Sequence, residues 1–183
     1  MELMLTIRPY SPADSTGLLN LINEGYPGDP MTPEQFAAQE AGRSADLPFM
    51  RFVAVAPDGA VFGQAVAVGG HDLREGHVRA FVRVAMAHRR QGVGSQLMDR
   101  LVQWARQVGL TTLEASAAAG EGGAIASAFM EHNGWEEIGQ VYFSRLMLND
   151  LDLTPHRGAL DGAIAKGFRF ERLSEQGEGE EVL

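Results

Sequence analysis

The stretch "FVRVAMAHRRQGVGSQLMDRLVQWARQVGL", residues 81–110, changes character twice. It opens as a β-rich run, passes through a basic turn holding two glycines, and closes as an amphipathic run. Apolar side chains at Val93, Leu97, Leu101, Trp104 or Ala105, and Val108 recur at helical spacing, and Gly109 is a natural stop. The spacing therefore predicts a helix that starts between Gly92 and Ser95. The first turn of such a helix leaves backbone N–H groups unpaired, and its dipole favours an anion. Gly92 and Gly94 let an anion approach the backbone, while Arg89 and Arg90 bring fork-shaped donors suited to phosphate. A phosphate or pyrophosphate site is the physical expectation here.

The elements on either side extend this strand–turn–helix into a sheet. "LMLTIRPY" alternates like a strand that Pro9 ends. Ser11 before Pro12 opens a helix with Leu18, Leu19 and Ile22 on one face. "PGDPMT" is a break, after which Thr32, Pro33 and Gln35 give a second helix a cap, a first residue and a capping box. "MRFVAVAPDGAVFGQAVAVGG" reads as a hairpin turning at Pro57-Asp58-Gly59, and "GHVRAFVRVAM" as a further strand. After the central helix come a strand in "LTTLEASA", a short helix in "GGAIASAFMEHNG" closed by Asn133-Gly134, and a last strand or bent pair in "WEEIGQVYFSRLML". The order implies a mixed α/β sheet flanked by helices. We expect one domain over residues 4–150 and an extension over 151–183. That extension would hold a short helix ended by Gly167, a strand in "FRFERL" and an acidic frayed tail.

Composition narrows the function. The 183 residues carry a formal charge of -9 and no cysteine. A nucleic-acid binder would show a basic surface, so nucleic acid is not an expected partner, and neither is an anionic membrane. A cationic or amine-bearing partner is mildly favoured. Without cysteine there is no disulfide framework, thiol nucleophile or cysteine-ligated metal. The start "MELMLTIRPY" has no basic segment leading into an apolar run, and no stretch approaches the roughly 18 apolar residues of a membrane span. A soluble cytoplasmic protein is expected.

Two nucleotide motifs fail on the glycines. A P-loop needs a lysine after them, and the dinucleotide fingerprint needs a glycine where Leu97 stands. A third pattern fits. Arg-x-x-Gly-x-Gly, here Arg89-Arg90-Gln91-Gly92-Val93-Gly94, follows a β-rich run and opens a helix. This resembles the acetyl-CoA motif of the GNAT superfamily of N-acyltransferases. "AIASAFMEHNGWEEIG" is similar to the family's next helix and aromatic turn, here Gly134-Trp135, and the element order also agrees over residues 4–148. "INEGYPGDPMTPEQF" and "LDLTP…GFRFERL" further resemble members with two such domains in tandem.

The resemblance implies direct transfer of an acetyl group from acetyl-CoA to a primary amine of a small molecule or peptide, with no metal. It places the pyrophosphate on the backbone of Arg89, Arg90, Gln91, Gly92, Val93, Gly94 and Ser95. It pairs the pantetheine with Val84, Ala85 and Met86, near Ala115 and Ser116, and lets the backbone around Val84 polarise the thioester carbonyl. An amine with a pKa of about 10.4 must lose a proton to react, so a base is needed. Glu114 falls where some members carry that glutamate; a solvent-facing carboxylate at a strand end is its other reading. Glu121, His77 and His88 are weaker candidates. The tyrosine many members use as acid is absent, since Met130 stands at its position, and Gly123 replaces a frequent asparagine. Tyr142 is the nearest hydroxyl in sequence, with a packed strand aromatic as its other reading; unassisted loss of a thiolate is the alternative. Glu24, Tyr26 and Asp29 lie where the acceptor would bind. "FRFERL" is expected to complete the sheet of its own or a partner subunit, the latter giving a homodimer. A non-catalytic acyl-CoA sensing module is the second functional reading.

Overall fold

The computed structural model describes residues 5–25, 28, 30–117, 123–140, 152 and 154–169. They fall into two compact units that divide between Glu136 and Glu137. The first holds β1 (Thr6–Pro9), α1 (Ser15–Glu24), α2 (Pro33–Ala41), β2 (Phe49–Val55), β3 (Val61–Val68), β4 (His77–Val84), α3 (Val93–Gln107), β5 (Thr112–Glu114) and α4 (Ala124–His132). The strands lie in the order β1-β2-β3-β4-β5. Pairing is antiparallel until β5, which runs parallel to β4. This is the mixed α/β sheet that the element order implies.

α3 covers one face of that sheet. Its Val93, Leu97 and Leu101 are buried against Phe52, Ala54, Ala65, Ala67, Val78 and Ala80. Strand alternation puts Val82 and Val84 on this face too. Small residues let the helix come close. A Cβ on Gly63 would stand 2.9 Å from Leu97 Cδ1 and 3.2 Å from Ala54 Cβ. α1 and α2 cover part of the opposite face, with Leu18, Leu19, Leu21 and Phe36 as their common core. There the buried guanidinium of Arg51 on β2 reaches Glu40 of α2 at 2.9 Å and lies 5.2–5.6 Å from the rings of Tyr10, Phe36 and Phe49.

Local signals hold at the helix starts. Gln35 N–H donates to Thr32 Oγ1 at 3.2 Å and Thr32 N–H to Gln35 Oε1 at 2.8 Å, the expected capping box. The hairpin closes at Gly59, whose φ is 87°. Other details differ. Ser11 and Pro12 open a 3-10 turn over Pro12–Asp14, so α1 begins later. The cause is Asp14, which accepts the N–H of Ser11 at 2.8 Å while both its oxygens take Arg8 at 2.7 Å. Leu21 is buried beside Leu18 and Leu19, with Ile22 partly buried against the same core, and Met98 is buried in place of Val108, which lies past the end of α3 and is exposed. β5 is three residues long where "LTTLEASA" promises more. Residues 135–140 form no strand, and the rest of the expected last strand lies outside the described residues.

In the second unit, Thr154–His156 form a 3-10 turn and α5 (Ala159–Ala165) is the expected short helix, followed by Gly167 at φ 89°. "FRFERL" falls mostly outside the described residues, and its Phe168 and Arg169 are not in a strand.

Two stability tests follow. Gly63→Val forces branched methyls into Leu97 and Ala54, and should cost about 1–3 kcal/mol in chemical denaturation. Hydrogen bonds from Arg8 hold the Asp14 carboxyl down from 3.8 to about 2. The unfolded chain thus takes up this proton first as pH falls. The stabilisation, roughly 2 kcal/mol at most, is complete above the ordinary carboxyl value and lost as pH drops toward 2. In Asp14→Asn the unfolding midpoint should lose that part of its acid dependence.

Candidate functional site

β5 accompanies β4 only over His77–Arg79, where Arg79 lies opposite Glu114. Beyond Arg79, β4 has no neighbour on that side among the described residues. Ala85 N–H donates to Phe62 O at 2.9 Å on the β3 side. Alternation therefore turns the backbone groups of Val82 and Val84 to the open edge. The chain then makes a 3-10 turn over Met86–His88 and enters the basic loop. Arg90 takes a left-handed φ of 63° and Gly92 one of 78°, which bend the loop into the start of α3.

No side chain caps α3 at Gly92. The N–H groups of Val93, Gly94 and Ser95 have no acceptor among the described residues. Gly94 permits close packing: a Cβ there would lie 3.2 Å from Phe129 of α4 and 3.7 Å from Val84 Cγ2. An open strand edge thus runs directly into an open helix N-terminus. Such a line of donors suits an extended chain that pairs like a strand and ends in an anion.

The structure brings Val84, Ala85, Met86 and the loop from Arg89 to Ser95 together as one continuous segment. Arg89 Nε donates to Val84 O at 3.0 Å, and its terminal nitrogens have no partner among the described residues. Arg90 is exposed, Gln91 Nε2 donates to Ala87 O at 3.1 Å, and Val93 is core. Glu24 is brought in as well, since its Oε1 accepts Met86 N–H at 2.8 Å. Arg83, which sequence reading passed over, donates from Nη1 to Ile22 O at 3.0 Å and fixes the end of α1 on β4. Only a side chain's path across two elements could reveal that contact.

Glu114 is not brought to Val84. Its Oε1 lies 2.7 Å from His77 Nδ1, at the start of β4. Five residues separate its register partner Arg79 from Val84, about 17 Å of strand. Ala115 and Ser116 follow it outside the sheet. The ring of His88 lies 4.5 Å from that of Phe62, and its Nδ1 is buried with no partner among the described residues. Met130 is half-buried on α4, and Gly123 is the residue before it. Tyr26, Asp29, Glu121 and Tyr142 lie outside the described residues. No cluster of three His, Asp or Glu side chains fit to hold a metal occurs among the described residues.

The sequence profile described as the acetyltransferase (GNAT) family matches residues 16–135. No curated protein sequence matches the chain. Among solved structures, AAC(6')-Iy in complex with the bisubstrate analog CoA-S-monomethyl-acetylneamine is 23% identical with a TM-score of 0.64, over 79% of this chain and 99% of that one. A GCN5-related N-acetyltransferase from Kribbella flavida is 25% identical with a TM-score of 0.61, over 75% and 85%. The aminoglycoside 6'-N-acetyltransferase AAC(6')-Ih from Acinetobacter baumannii is 19% identical with a TM-score of 0.62, over 79% and 99%. The first and third likenesses speak to the fold alone.

The loop yields a direct test. A Cβ on Gly92 meets only Gln96 Nε2, at 3.8 Å, so a longer side chain fits but is strained by the positive φ. Gly92→Glu should weaken coenzyme A binding about a hundredfold or more in titration calorimetry, because its carboxylate faces the anion. Gly92→Ala carries the same backbone strain without the charge and should lose about tenfold or less.

Proposed function

The chain belongs to the GNAT acetyltransferase family, and from that premise we propose that it moves an acetyl group from acetyl-CoA to a primary amine of a small molecule or peptide. The observation that carries this reading is the continuity between the open edge of β4 beyond Arg79 and the uncapped start of α3. The residues present fit such a donor. Backbone N–H groups of Val93, Gly94 and Ser95 hold the pyrophosphate, with Arg89 and Arg90 adding charge. The edge groups of Val82 and the N–H of Val84 hold the pantetheine amides, and an N–H of that edge polarises the carbonyl. Bound acetyl-CoA supplies an activated thioester.

This edge lies between two carboxylates, Glu114 beside Arg79 and Glu24 beside Met86. In our reading Glu114 takes the amine proton through water, with His77 on its carboxylate to share the charge. Tyr142 is the hydroxyl assigned to the departing sulfur. A thiol pKa of about 8.5 makes the thiolate a fair leaving group even without it. Any acceptor-dependent transfer then needs only that the amine arrive neutral and in line.

Thiol release from acetyl-CoA, followed with a chromogenic thiol reagent across a panel of amines, tests the activity. Turnover is expected with at least one primary amine. Glu114→Gln should lower kcat about a hundredfold or more. The same loss in Glu24→Gln, with Glu114→Gln near wild type, would move the role to Glu24. Tight coenzyme A binding without thiol release on any amine would assign the chain to sensing.

A further inference from the structure

The open edge of β4 comes to an end, and two side chains make that end. Ala85 N–H donates to Phe62 O on the β3 side, so both backbone groups of Val84 face outward. The carbonyl of Val84 is already taken, since Arg89 Nε donates to it at 3.0 Å. The next outward donor, Met86 N–H, is taken by Glu24 Oε1 at 2.8 Å. Val84 N–H is therefore the last open donor of the strand edge among the described residues. Beyond it come the 3-10 turn at Met86–His88, Arg89 itself and then the uncapped start of α3.

A chain that pairs along this edge can use the groups of Val82 and the N–H of Val84, and no backbone group of the strand after that. This matters for register. An edge that offers equivalent groups in succession lets a partner slip along it. With Val84 O open, an added amide could pair there and carry the reacting carbonyl off the donor that polarises it. Closing that one carbonyl leaves a single stopping place.

The bond that closes it comes from the stem of the arginine. Nε makes the contact, and the two terminal nitrogens have no partner among the described residues. Those nitrogens can take an anion at the start of α3 while Nε stays where it is.

We propose that Arg89 is a positioning residue. Through Nε it closes Val84 O, ends the pairing of the donor chain there and so holds the thioester carbonyl on Val84 N–H. Its terminal nitrogens hold the pyrophosphate at the same time. This rests on the acyltransferase reading above, in which the arginine supplies charge alone.

Two conservative variants separate the two tasks. The amide nitrogen of glutamine stands as many bonds from the backbone as Nε does, so Arg89→Gln keeps a donor for Val84 O and loses the charge. Lysine has a methylene at that place, so Arg89→Lys keeps the charge and loses the donor. The full-length proteins are saturated with acetyl-CoA isotope-labelled at the acetyl carbonyl, with no amine present. Infrared difference spectroscopy reads the carbonyl stretch, and calorimetry reads coenzyme A affinity.

The wild-type band is expected below that of free acetyl-CoA, as for a carbonyl on a fixed donor. Arg89→Ala should lose about half or more of that displacement and about tenfold in coenzyme A affinity. Arg89→Gln should share the loss of affinity and keep the wild-type band. Arg89→Lys should keep the affinity within about threefold and lose the band displacement. A role in charge or in folding alone would move band and affinity together. A wild-type band at the free position, a wild-type band in Arg89→Ala or Arg89→Lys, or a lost displacement in Arg89→Gln each overturns the inference while the acyltransferase reading stands. Failure of the wild type to bind coenzyme A brings down both.

Discussion

The approach of α3 to the sheet over Gly63 is the constraint on which the rest depends. No side chain at that position leaves room for Leu97 and Val93 to lie directly on β3. The helix is thereby held low across β2, β3 and β4, and its first residue lands beside the last residue of β4. A helix raised by one methylene would bury less of Leu97 and Leu101, and its N-terminus would no longer continue the strand edge. Gly94 repeats the device one turn on, against Phe129 and Val84, and so fits α4 over the same start. Two glycines thus set the position of the uncapped start of α3.

A second constraint is the shortness of β5. A longer strand would pair the whole of β4 and seal its edge. With pairing limited to His77–Arg79, the outward groups of Val82 and the N–H of Val84 remain open among the described residues. The two faces of β4 are then unequal. One is apolar and closed by α3. The other is polar along its length, with arginines around one exposed ring, and α1 touches it only near the end. In the transfer proposed above, donor and acceptor would approach the same edge from different directions.

Legibility in the sequence followed the range of each interaction. The helix at Val93–Gln107, the capping box at Thr32 and Gln35 and the hairpin at Gly59 depend on neighbours within a turn, and they read directly. Leu21 and Met98 were not read, because the burial of a residue beside the main stripe depends on where the partner helix or strand lies. Asp14 looked like part of a first helical turn. Its bidentate pairing with Arg8 of β1, six residues back, recruits it into a cap. The site shows the same division. The glycines and arginines of the loop announce an anion locally. Glu114 was read from its place on a strand, and nothing in the sequence says that its carboxylate meets His77, 37 residues away.

By itself the sequence determined the order of elements, the helix start that leaves backbone donors uncapped and the charge that waits beside it. These are properties of chain segments, fixed by periodicity, glycine and capping. Tertiary structure decided which of those donors are continuous with the open edge of β4 and which carboxylates stand at its two ends. Those depend on register and on where partner elements stop. Pairing between β4 and β5 ends at Arg79, where β5 itself stops at Glu114.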